Sequence, residues 1–450
     1  MVCQENSARG LILFALISLM PFSGAAADEP PLPLGGEILI PDSVAGDQVA
    51  PDLASSADGG FIAVWQSLDE DGDGSGILAQ AHGSDGAELH PALRVNLTTE
   101  GSQTRPAVSA DDQGRFAIAW QGPQGESGTG VFVRTFGADG SPRTPEIAVS
   151  EASGERTEPS VALAENGDFL VAWQAGDGTG EGVWARLFAS DGTPLTGELQ
   201  LNTTTGGHQQ NPQVRHADES GGYVVVWEGP DGSGSGIYLR HLAADGAFAS
   251  GEIPVNEEKA GNQRNPALAH SGIDEDATDR NVFVVVWQSP DSAGTGIFAR
   301  LYDDDGEPLG SQTLISQDNG NDQGDPSVAV DNGLDAGGVD FVVTWTEAPV
   351  AGFAGTEEHP VVVHGRRFGN AADIAAPEVF AQVFDVSEDG LSTGTSVVAA
   401  EDDGDFVVIW QSADQDGSGQ GVMARRFAGQ PIFVDGFESG NTLRWSETSP

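Results

Sequence analysis

The chain has 450 residues, with 69 acidic against 19 basic side chains and a formal net charge of −50 at pH 7. Such a field excludes nucleic acid and anionic membrane surfaces as partners and favours solubility and cation binding. The length admits two or three ordinary domains or one large repeat domain.

Residues 1–27 read as a secretory signal peptide. Arg9 precedes the apolar run LILFALISLMPF, the small residues SGAAA follow, and cleavage is expected after Ala27. The run is too short for an ordinary membrane anchor, and no later segment is long and apolar enough to be one. The expected location is therefore extracytoplasmic (periplasm, cell surface or extracellular), with no integral membrane segment after signal removal. Cys3 is the single cysteine and leaves with the leader, so no disulfide is expected. Residues 28–34 read as a linker.

From residue 35 to 430 the sequence repeats. Seven short apolar runs end in tryptophan, at Trp65, Trp120, Trp173, Trp227, Trp287, Trp345 and Trp410. The runs are β-branched, aromatic and bounded by turn residues, which marks them as strands. One unit, residues 157–202, contains PSVAL, DFLVAW, GVWARLF and GELQLN, here strands A to D, joined by turns such as ASDGTP. Four antiparallel strands in about fifty residues are the signature of a propeller blade. The expected fold is all-β, a seven-bladed propeller of four-stranded antiparallel blades.

The seventh repeat ends at Phe427 without a strand D, whereas Glu37–Ile40 matches strand D of other repeats. This N-terminal strand is expected to complete the last blade and remove an open edge. The tryptophans are expected to pack between blades. An arginine recurs in strand C, at Arg134, Arg186, Arg240, Arg300, Arg366 and Arg425, with Gln80 in the first blade. Its stem is expected against aromatics and its head on an acidic partner. The sixth repeat is irregular, and residues 431–450 form a separate C-terminal tail.

The pattern P-x-V-A, G-G-F-x-V-x-W-Q, D-G-S-G-x-G-I-x-A-R-x-F and G-E-x-x-V-N resembles a repeat of large secreted bacterial surface proteins that often carry haemolysin-type calcium-binding modules. The resemblance covers roughly residues 35–430 and is specific as a repeat, and those repeats are generally of unassigned function. The glycine- and aspartate-rich nonapeptides that bind calcium in those proteins do not occur in this sequence.

Motifs for chemistry are sparse. No H-E-x-x-H, G-x-S-x-G or P-loop occurs, and His359 and His364 in HPVVVH lack a transition-metal spacing. The stretch LDEDGDGSGI places Asp69, Asp71 and Asp73 before Gly74, as in the first half of a calcium loop, but Gln80 stands where its bidentate glutamate belongs. Asp414 and Asp416 form a second, shorter version. These five aspartates are the metal candidates, and calcium is the one cofactor considered. Gln48, Gln103, Gln209, Gln263 and Gln323 recur in the D–A loops, on the face shared with the B–C loops, and are candidates for a glycan-binding face. The expected function is a monomeric, non-catalytic binding module for glycans or cell-surface proteins. Its alternatives are a polysaccharide-active hydrolase or lyase, which needs an asymmetric acidic pocket at the channel mouth, and a structural, matrix-like protein.

Overall fold

The computed structural model describes residues 30–40, 46–56, 59–68, 72–125, 128–150, 154–217, 221–271, 282–292, 294–317, 319–331, 340–348, 361–369, 378–379, 382–387, 392–401, 404–413, 415 and 419–429. They form a ring of seven antiparallel sheets. The third blade shows the unit: strand A is Arg156–Leu163, B is Phe169–Gly176, C is Gly180–Phe188 and D is Leu199–Gln200. In its C–D turn Gly192 takes φ 84°, and the Asp191 carboxylate accepts the Thr193 N–H at 2.8 Å. Asp-Gly supplies both the positive φ and the side-chain acceptor that such a turn requires. Each strand A packs beside strand A of the next blade, and the seventh lies beside the first. Among the described residues no helix is long and apolar enough to cross a membrane.

The ring closes through its first strand. Ile38–Ile40 pairs antiparallel with Gln420–Phe427, with Ile38 opposite Ala424 and Ile40 opposite Val422. The contact begins upstream of the expected strand. The Leu34 N–H donates to the Arg426 carbonyl at 2.9 Å, and the Ala428 N–H donates to that of Leu32 at 2.8 Å. Part of the segment expected to be linker therefore lies along the last blade.

Seven hydrophobic clusters fill the seven seams between blades. Strand B faces neighbours on both sides, which explains its unbroken apolar character. Trp173 and Phe169 pack against Val131 and Val133 of the preceding blade. At the closing seam Trp65 meets Ile409, Val422 and Ile40. All seven repeated tryptophans are buried to 1% exposure or less.

The recurrent arginines join the blades in a way that differs from the expectation. Their guanidinium groups lie over aromatic rings, as Arg186 does over Phe188 at 5.5 Å. Their heads reach a backbone carbonyl of the preceding blade instead of an acid. Nη1 donates to Val95 from Arg134 (3.0 Å), Val149 from Arg186 (2.9 Å), Leu201 from Arg240, Val255 from Arg300 (2.9 Å), Ile315 from Arg366 (2.7 Å) and Val386 from Arg425 (3.1 Å). Arg300 adds Glu257 at 2.9 Å. The carbonyl one residue beyond each short strand D has no next ladder partner, and the arginine meets it. At the closing seam Gln80 replaces the arginine and bonds within its own blade, to the His90 carbonyl at 3.3 Å. The sixth blade carries two short outer strands, Glu378–Val379 and Phe384–Asp385, on its strand C, Val362–Gly369.

Candidate functional site at the channel mouth

Every strand A changes register near its start, and in six blades a proline sits at that break: Pro51, Pro106, Pro159, Pro212, Pro266 and Pro326. The residue before each proline takes a left-handed conformation: Ala50 (φ 50°), Arg105 (51°), Glu158 (52°), Asn211 (54°), Asn265 (49°) and Asp325 (49°). Left-handed backbone is unfavourable for such residues and persists only where the surroundings enforce it. Here the glutamine after the tryptophan of the preceding blade helps. Gln121 accepts the Glu158 N–H at 3.2 Å, Gln174 that of Asn211 at 3.4 Å, and Gln411 that of Ala50 at 3.2 Å. The bulge re-aims the residue before proline, and these residues, with Thr395 of the seventh blade, line a cavity of about 330 Å³ at the channel mouth.

This ring is where the repeats diverge. Arg105 pairs with Glu158 at 3.0 Å, and Asn265 donates to Asp325 at 2.8 Å. In the fourth blade Glu228 replaces the glutamine after tryptophan. It is 4% exposed and accepts from Gln210 at 3.1 Å and Asn211 at 3.4 Å. Burial pushes the carboxyl groups of Glu158, Glu228 and Asp325 up. Arg105, Arg264 with several hydrogen bonds, and Asn265 respectively oppose the shift.

Two further departures lie deeper in the channel. Two places after proline-minus-one, the first blade has Asp52 where the others have Ala107, Ser160, Gln213, Ala267, Ser327 and Val397. Asp52 Oδ2 accepts the Val108 N–H of the next blade at 2.7 Å, a task that Ser160 and Ser327 perform with hydroxyls at 3.1 and 3.2 Å. Burial raises its pKa to about 6, against the Val108 hydrogen bond and the charge of Arg215. Two residues further along the strand, Arg215 stands where the other blades have Ala54, Ser109, Ala162, Ala269, Ala329 and Ala399. It lines both the mouth cavity and a second cavity of about 220 Å³ on the opposite side. The mouth thus combines carboxyl groups raised by burial, amides and two arginines, a set suited to acid–base work on a polar, hydroxyl-rich substrate.

The residues expected to form a glycan-binding face are elsewhere. Gln48, Gln103, Gln209, Gln263 and Gln323 are buried to 2% exposure or less. Gln103 accepts from Asn96 at 2.9 Å and donates to the Gly101 carbonyl at 3.0 Å, while Asn96 accepts the Ile77 N–H at 2.8 Å. Asn202 with Gln209 and Asn256 with Gln263 repeat this at 2.8 and 3.0 Å. These amides fasten the D–A connection to strand C, and both ends of the amides of Gln103, Gln209, Gln263 and Gln323 find protein partners. Arg156 occupies the same position in the third blade and bonds Ser150 at 2.7 Å.

Of the calcium candidates, Asp69, Asp71, Asp414 and Asp416 lie outside the described residues. Asp73 is exposed and accepts the Gly101 N–H at 3.2 Å, joining a B–C loop to a D–A loop. No group of three metal-ligating side chains occurs among the described residues. His359 is also outside them. His364 stands 3.0 Å from Asp385 and 3.8 Å from Glu347.

No family model matches the chain, and no curated protein matches it. Solved structures of similar shape include a protein of unknown function from Dyadobacter fermentans, 10% identical, with 88% of this chain and 98% of that one covered at a TM-score of 0.49. The alpha-L-arabinofuranosidase of Fusarium graminearum is 12% identical, with 87% and 97% covered at 0.47. An ulvan lyase is 10% identical, with 90% and 96% covered at 0.48. At these identities the likeness is one of fold. Proteins of similar shape include a hydrolase and a lyase, so the shape gives no support to the expectation of a non-catalytic chain. The asymmetric acidic mouth that an enzyme would require is also present in this ring.

Proposed function

We propose that the chain binds a polysaccharide at the channel mouth and cleaves it by acid–base chemistry as a hydrolase or lyase. The observation that carries this reading is the break in symmetry. A ring that repeats its core, its arginines and its buried amides in most blades varies the residues that line one recess, and three carboxyl groups there, Asp52, Glu158 and Asp325, are raised by burial. Glycosidic cleavage uses one protonated carboxyl group and one ionised partner. Asp52, with a pKa of about 6, keeps a protonated fraction near neutral pH, and Val108 occupies only its Oδ2. Glu158, held by Arg105, is the candidate ionised partner. The leader-like residues 1–27 and the resemblance to repeats of secreted surface proteins would place the activity outside the cytoplasm.

The test is turnover on a panel of neutral and acidic polysaccharides, followed by new reducing ends and by the absorbance of unsaturated uronate. Asp52→Asn and Glu158→Gln should each lower turnover by about a hundredfold or more while binding persists. Binding without turnover removes the catalytic part of the proposal, and absence of both removes the site.

A further inference from the structure

The channel of a strongly acidic protein contains an arginine that its own repeat does not call for. In the other six blades the position of Arg215 holds alanine or serine. Among the described residues its one hydrogen bond runs from Nη1 to the Val214 carbonyl at 2.9 Å, and no carboxylate stands within ion-pair distance. Its guanidinium remains charged at any working pH, and its other N–H donors have no protein acceptor among the described residues. Arg215 also lines the mouth cavity, so a molecule entering there can reach it.

Arg215 is half-buried, so these donors open to the channel, where water or a ligand accepts from them. No mouth carboxylate accepts a hydrogen bond from it: Asp52 lies near enough to act as a countercharge but accepts from Val108, Arg105 holds Glu158, and Asn265 holds Asp325. We infer that Arg215 is the specificity residue of the mouth and receives an anionic substituent, a carboxylate or sulfate ester, of the bound saccharide. The planar fork of a guanidinium fits either group with two parallel hydrogen bonds. The inference rests on the saccharide reading above and narrows it to acidic polysaccharides. The long-range field of the −50 chain opposes such a ligand. At physiological ionic strength that field is screened beyond about 8 Å, whereas the contact at Arg215 is direct and shielded from salt.

The experiment measures binding of three probes to the full chain: oligogalacturonate, its carboxyl-reduced neutral counterpart, and a sulfated galactan oligosaccharide. Wild type should prefer at least one acidic probe over the neutral one by about ten- to a hundredfold. Which acidic probe it prefers distinguishes carboxylate from sulfate. Arg215→Ala, which installs the residue of five sibling blades, should abolish the preference, so that the acidic probes bind no better than the neutral one. Arg215→Lys should restore part of it. A preference that survives in Arg215→Ala, or wild-type binding that ignores charge, overturns the inference while leaving the saccharide reading standing. If no oligosaccharide binds, that reading fails. The Arg215 Nε–H resonance is then followed during titration with glucuronate and with methyl sulfate. A saturable shift upholds the anion site, and no shift overturns it.

Discussion

Asp52→Ser should stabilise the protein, and only above a certain pH. The variant copies Ser160 and Ser327, whose hydroxyls accept the same strand-A N–H that Asp52 accepts from Val108. It therefore removes a charge without orphaning a donor. Burial raises the Asp52 pKa from 3.8 to about 6, so the folded state favours its protonated form. The stability contributed by that preference is complete below pH 3.8 and is lost as pH rises through about 6. The ionised group then costs roughly 3 kcal/mol relative to its protonated form. Removing it also strips Arg215 of a nearby countercharge, which offsets part of the gain and leaves about 1–3 kcal/mol. Urea midpoints of variant and wild type are compared at about pH 4 and about pH 7.5, with equal m-values required. The many other carboxyl groups cancel in the difference. The variant should equal wild type or fall slightly below it at the lower pH, and exceed it at the higher. A difference independent of pH, or one that falls as pH rises, refutes the reasoning. A gain in stability accompanied by a loss of turnover would mark Asp52 as a residue kept for function at the expense of the fold.

The blade-joining arginines predict that Arg186→Ala lowers stability by about 2–4 kcal/mol, through the Val149 hydrogen bond and the stacking on Phe188. An unchanged urea midpoint would deny them that role. Gln80→Arg should raise the stability by about 1 kcal/mol, read as a higher urea midpoint, by giving the closing seam the arginine that the other six seams have. Deleting residues 32–40 exposes the outer edge of Gln420–Phe427 and should lower the melting temperature and cause association, read by light scattering. A truncated chain that melts like the parent and stays monomeric would refute closure by the first strand.

The ring was legible in the sequence because its signals are local and repeated. A strand that packs on both faces reads as an unbroken apolar run, and seven such runs ending in tryptophan fix the number of blades. The missing strand D of the last repeat and the surplus one before the first could be matched because both obey the repeat. The arginine's partner was not legible. Its acceptor is a carbonyl of the preceding blade, a group every residue carries, so no side chain in the sequence marks it.

The proposed site was not read from the sequence for the opposite reason: recurrence was taken as the signal of function. Gln48, Gln103, Gln209, Gln263 and Gln323 recur because each fastens the same D–A connection, and a residue that serves the scaffold in many blades has few groups left for a ligand. A ligand off the ring axis breaks sevenfold symmetry, so its contacts must differ from blade to blade. That difference is visible in the sequence once the repeats are aligned on proline: Ala50, Arg105, Glu158, Asn211, Asn265 and Asp325 share a position and little chemistry, and Arg215 stands among alanines. The sequence does not show that this variable position is left-handed, bulged and aimed into the mouth, because the residue before a proline normally avoids the helical regions. The backbone there is held by glutamines contributed from neighbouring blades. The symmetric part of the ring thus imposes the strain, and the asymmetric part uses it to present its side chains.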